Sequence, residues 1–233
     1  MPSSATDTAS LITAFNALHD RYEALLEQWE ALALQNVAWS VWLDPVGGSD
    51  TNSGLTPATA VATLAKAVSL TPRGSYVLVN LMRDYDMDSD VSTDGRQVIV
   101  RGVKGTGVSP TDTQQRIFTQ TVAGGAARLL RTSDGGAWHM RALDITLATS
   151  AITSGPPALF VGRLKRVALT GVGIRYTDGL TTVSLIGSDG TVVLETDTVS
   201  ALDDALAGHW IEGVAGGVNP NTLGKVLTNL ATL

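Results

Sequence analysis

Residues 76–101 read Tyr76-Val-Leu-Val-Asn-Leu-Met-Arg-Asp-Tyr-Asp-Met-Asp-Ser-Asp-Val-Ser-Thr-Asp-Gly-Arg-Gln-Val-Ile-Val-Arg101. Val77, Val79 and Leu81, then Val98 and Val100, fall on every second position, the spacing of side chains that share one face of a strand. The alternation returns at Met140, Leu143/Ile145/Leu147, Leu159/Val161, Val167/Leu169, Val172/Ile174, Val183/Leu185 and Val192/Leu194, in short runs punctuated by Gly, Asp, Ser and Thr. A β body is therefore expected over 72–207. One apolar position per unit, taken as Val77, Val98, Val122, Ile145, Val167 and Val192, gives separations of 21, 24, 23, 22 and 25 residues. That suggests the coils of a solenoid, each with an apolar side that only stacked neighbours cover. Val122 is the weakest member, because Thr121-Val-Ala-Gly-Gly125 reads equally well as a turn. A sandwich of antiparallel strands competes, since Gly-rich turns every ~8–12 residues suit it as well.

Upstream the period is helical. Leu11, Leu18, Leu25 and Leu32 occupy heptad position d, and Phe15, Tyr22, Trp29 and Asn36 occupy a, which keeps one apolar stripe towards partner helices. About 30 residues at ~1.5 Å each make a rod of roughly 45 Å, long for a helix lying on its own domain. Self-association over 1–38 is expected. Large aromatics at a, with Leu26 and Ala33 at e widening the face, favour three or more strands over two. A helix packed antiparallel on its own body remains open, because periodicity does not name the partner. Ser4 and Asp7 are spaced for a capping box at its start.

Segment 39–71 is rich in turn formers: Pro45, Gly47-Gly48 and the run Ser49-Asp-Thr-Asn-Ser53. Thr56-Pro57 is one possible helix start, after which Ala60, Leu64, Ala67 and Val68 form a small apolar stripe up to about Leu70. So weak a helix must lie on something apolar. At the far end, 208–233 reads as an irregular crossover followed by a short helix from Asn221 with Leu223, Val226, Leu227 and Leu230 on one stripe.

The run Trp42-Leu-Asp-Pro-Val-Gly-Gly-Ser-Asp-Thr-Asn-Ser-Gly-Leu-Thr-Pro57, followed by Ala60-Val-Ala-Thr-Leu-Ala-Lys-Ala-Val68, resembles the opening of right-handed parallel β-helix proteins of bacteriophage tail spikes and fibres. In that family a strand leads into D-P-x-x-G-S-D-x-N-S-G-x-[ST]-P and then A-x-A-T-[IL]-x-x-A. The resemblance covers about 27 of 233 residues. It implies a mainly β chain, a short right-handed parallel β-helix preceded by an α-helical coiled coil, assembled as a homotrimer. It also implies a helix, with Leu64, Ala67 and Val68 inward, that caps the open first coil. The setting implied is the virion, assembled in the host cytoplasm, with other virion structural proteins held through the N-terminal region and a host surface glycan as a further contact. Tail spikes that cut polysaccharide have more coils than the body here allows, so a structural fibre is expected over a depolymerase.

Composition narrows the chemistry. The chain has no cysteine, so disulfides and thiolate metal sites are excluded. A formal charge of −6, with 16 scattered basic residues, argues against a phosphate-binding nucleic-acid surface. The nearest basic cluster is Arg163, Lys165 and Arg166, in which the first two share a strand face that reads as solvated. No apolar run approaches 18 residues, so membrane insertion is not expected, and the N-terminus lacks a basic n-region. No cofactor is expected: His19, His139 and His209 form no metal-binding unit, and Gly102–Gly107 lacks P-loop spacing.

The acidic residues are the remaining candidates. Asp84, Asp86, Asp88 and Asp90 alternate, so an extended segment puts all four on one face, where they can hold an ion or act on a glycan. A solvated loop is the competing account. Glu195 and Asp197 share a strand face at ~6–7 Å, close to the separation of glycosidase carboxylates, although acidic residues are common on outer strand faces. Asp50-Thr-Asn-Ser-Gly54 only partly fits a calcium loop and reads as a turn. No catalytic residue is assigned.

Overall fold

The computed structural model describes residues 38–104, 113–147, 152–176, 183–187 and 191–201. The heptad residues Leu11, Phe15, Leu18, Tyr22, Leu25, Trp29, Leu32 and Asn36, and the expected helix after Asn221, lie outside the described residues.

The described chain is mainly β. Its strands are β1 (Ala38–Leu43), β2 (Tyr76–Leu81), β3 (Tyr85–Asp86), β4 (Val91–Ser92), β5 (Gln97–Gly102), β6 (Arg116–Thr119), β7 (Val122–Ala123), β8 (Ala126–Ala127), β9 (Leu130–Arg131), β10 (Ala137–Leu147), β11 (Ala158–Val161), β12 (Leu164–Tyr176), β13 (Ser184–Ile186) and β14 (Thr191–Ala201), with one helix, α1 (Leu64–Ser69).

Three parallel ladders organise these strands. The first joins β2, β5 and the leading halves of β10, β12 and β14, with Val77, Val98, Trp138, Val167 and Leu194 in register. The second joins β3, β6 and the trailing halves of the same long strands, aligning Tyr85, Phe118, Ile145, Ile174 and Ala201. The third joins β4, β9, β11 and β13, aligning Val91, Leu130, Phe160 and Ile186. Among the described residues the chain runs through the ladders in that order four times, and β14 begins a fifth passage. Parallel pairing excludes the antiparallel sandwich; among the described residues antiparallel pairing is confined to the hairpin β7–β8 and the isolated bridge Val103–Thr113.

The even spacing expected from sequence does not hold. Successive first-ladder residues Val77, Val98, Trp138, Val167 and Leu194 stand 21, 40, 29 and 27 positions apart. Val122 lies in the β7–β8 hairpin, Ile145 belongs to the second ladder, and Val192 registers with Lys165 rather than Val167. Stacking fixes the register between strands, not the length of chain between them, so loops of unequal length blur a period counted along the sequence.

The aligned apolar side chains of all three ladders meet in one core. Val77, Val79, Val98, Val100, Trp138, Met140, Phe118, Ile145, Leu130 and Phe160 are all buried. Each such residue contributes roughly 1.5–3 kcal/mol of transfer free energy. Tyr85 and Phe118 stack across neighbouring strands of the second ladder with ring centroids 5.5 Å apart.

Between the first and second ladders the long strands turn a corner without breaking. Register runs Arg141↔Thr170 and then Leu143↔Val172, so Ala142 and Gly171 occupy the corner together. Both have positive φ, 50° and 60°, a left-handed conformation that turns the strand within one residue and that glycine adopts at far lower cost than alanine. The return to the first ladder uses Asp94-Gly95 and Asp134-Gly135, each pair with two positive φ values, as a tight turn of primed type requires.

At the β1 end, Thr56 N donates to Thr59 Oγ1 at the start of a 3-10 turn, Pro57–Thr59, but the α-helix begins only at Leu64. In between, Val61 forms a parallel bridge with Leu43, which holds that segment extended. Thr63 is the true N-cap, its hydroxyl accepting from Lys66 N at 3.1 Å. Asp50 fixes the approach by accepting from Ala62 N (2.9 Å), Thr63 N (3.0 Å) and Thr63 Oγ1 (2.8 Å), which gives the Asp50–Gly54 turn a structural task. Leu64, Ala67 and Val68 are buried against the main core.

Candidate functional site

The first ladder has an inner and an outer side. On strands β5, β10 and β12 the inner residues alternate with Gln97/Ile99/Arg101, Ala137/His139/Arg141 and Arg166/Ala168/Thr170. Because the strands are in register, these residues form rows across the sheet: Tyr76–Gln97–Ala137–Arg166, Leu78–Ile99–His139–Ala168–Glu195, and Asn80–Arg101–Arg141–Thr170. A shallow groove of about 160 Å³ runs over the first two rows, lined by Tyr76, Gln97, Ile99, His139, Arg166 and Glu195 among others.

Beside the groove the third row is unusual. Arg101 and Arg141 are direct cross-strand partners in strands ~4.8 Å apart, a like-charge placement that opposes folding. Asn80 is fully buried and fixed by Nδ2 donating to Ser40 Oγ (2.9 Å) and Val41 O (3.4 Å), while its Oδ1 accepts from Arg101 Nε at 2.7 Å. Burial, and then the Arg141 charge, hold the Arg101 guanidinium below its ordinary range. His139 is likewise pulled down by burial and then by Arg141, against a smaller upward pull from Glu195, and its Nε2 lies 3.0 Å from Thr170 Oγ1. At neutral pH the imidazole is therefore uncharged. Arg166 Nη2 meets Glu195 Oε1 at 3.3 Å in an exposed ion pair worth about 0–1 kcal/mol.

The carboxylates picked out from the sequence are spread over the surface. Asp84, Asp86, Asp88 and Asp90 are all exposed while Tyr85, Met87 and Val91 are buried, so the alternation is real. The chain turns between β3 and β4, however, and most of these carboxylates already serve the backbone or a neighbour. Asp84 accepts from Ile117 N (2.9 Å), and Asp88 accepts from the Tyr85 hydroxyl (2.9 Å). Asp90 accepts from Leu129 N (3.1 Å) and pairs with Arg131 (3.1 Å). Tyr85 in turn accepts from Leu64 N (3.2 Å), joining the second ladder to α1; burial above all raises its phenol pKa. No group of three or more His, Asp or Glu suited to a metal ion occurs among the described residues. Glu195 lies on the groove wall, and Asp197 registers with Thr170.

Sequence reasoning missed Arg101, Arg141, His139 and Tyr76. Of the basic cluster it named, Arg166, which alternation sets apart from the other two, is the member on the groove. No local signal marks the Arg101–Arg141 pair, since the two residues meet only through pairing across 40 positions.

Comparison with protein families, curated proteins and solved structures gives no match for this chain. Among the described residues no helix is long and apolar enough to cross a membrane.

Proposed function

We propose that the chain is a structural component of a bacteriophage virion: a trimeric fibre or spike that attaches through its N-terminal helix, 1–38, and carries a short right-handed parallel β-helix as a stiff shaft or tip towards the host surface. The observation that carries this reading is the repeated passage through three in-register parallel ladders around one apolar core. Parallel crossover connections are right-handed in about 98% of cases, which supplies the hand. Such a stack leaves no long flat edge along its length and needs capping only at its ends, the role this reading gives to α1 with Leu64, Ala67 and Val68. The aromatic a positions of the heptads ending at Asn36 favour three or more strands over two. Light scattering on the full chain is expected to give three times the 24.3 kDa chain mass. A monomer overturns the fibre reading, as does antibody labelling that finds no copy on purified particles.

A second reading is a spike that binds or cuts glycan through surface carboxylates. Favouring it is the position of Glu195 on the groove wall. Release of reducing ends from host polysaccharide, abolished by Asp→Asn or Glu195→Gln, separates it from the first.

A further inference from the structure

We draw no further inference here: the strongest candidate, the shallow groove on the outer side of the first ladder with the exposed Tyr76 ring at its rim, has polar walls that already pair among themselves, Arg166 with Glu195 and His139 with Thr170, and nothing in the structure shows what covers it.

Discussion

The two sides of strand β10 obey different rules although they share a backbone. Inward, Trp138 and Met140 stack on Val98 and Val100 below and on Val167 and Leu169 above, and every position is fully buried and apolar. Outward, His139 stands between Ile99 and Ala168 and Arg141 between Arg101 and Thr170, and a groove lies over the row that holds His139. The inner side is constrained by volume, because each residue must fill the space between two rungs. The outer side is constrained only by register. It is free to place like charges in register, as at Arg101 and Arg141.

Substitutions can break this contrast. The largest effect is expected inside: Trp138→Ala empties a fully buried site and breaks the bond from its Nε1 to Arg131 O (3.3 Å), costing about 3–5 kcal/mol in urea unfolding. An unchanged midpoint would show that the inner side is not close-packed. Next is the joint between the second ladder and α1. Tyr85→Phe leaves Leu64 N without its acceptor and removes one of the two hydroxyl donors to Asp88, with an expected loss of about 1–3 kcal/mol. At the corner between ladders, Ala142→Gly relieves a positive φ of 50° and should stabilise by about 1–2 kcal/mol. A loss of stability would mean that the corner depends on the methyl group.

On the outer side the effects shrink and reverse. Arg141→Gln removes one of two facing charges and is expected to raise stability by about 0.2–1 kcal/mol, a gain that high salt should abolish. The smallest effect belongs to His139. Its folded-state pKa lies below the ordinary value of about 6.5, so between the two the unfolded chain binds more protons. Its contribution is therefore complete above about pH 6.5 and is lost as pH falls through that window. Comparison of wild type with His139→Gln across pH 5–8 should show the slope flatten in the variant.

How much was legible can be seen residue by residue. Val77, Val98 and Val167 were recognisable as inner residues from alternation alone, because burial on one side of a strand imposes a period of two. Leu64, Ala67 and Val68 were equally visible as an apolar stripe, though Val61 bridging to Leu43 moved the start of the helix to Leu64. Asp84 to Asp90 were rightly placed outward, yet their bonds to Ile117, Tyr85 and Leu129 are long-range facts no local pattern contains. The repeat was hidden by loops of unequal length. Asp94-Gly95 and Asp134-Gly135 were the better markers of it, since that return turn recurs in kind even where spacing does not.

By itself the sequence determined that the chain would build strands with one apolar side, because alternation and turn formers act over a few residues and need no partner. The tertiary structure decided which strands pair, and so that Arg101 meets Arg141 and that Ala142 shares a corner with Gly171. The physical reason is that register is set by the fit of whole rungs against one another, a property of the stack that no single strand encodes.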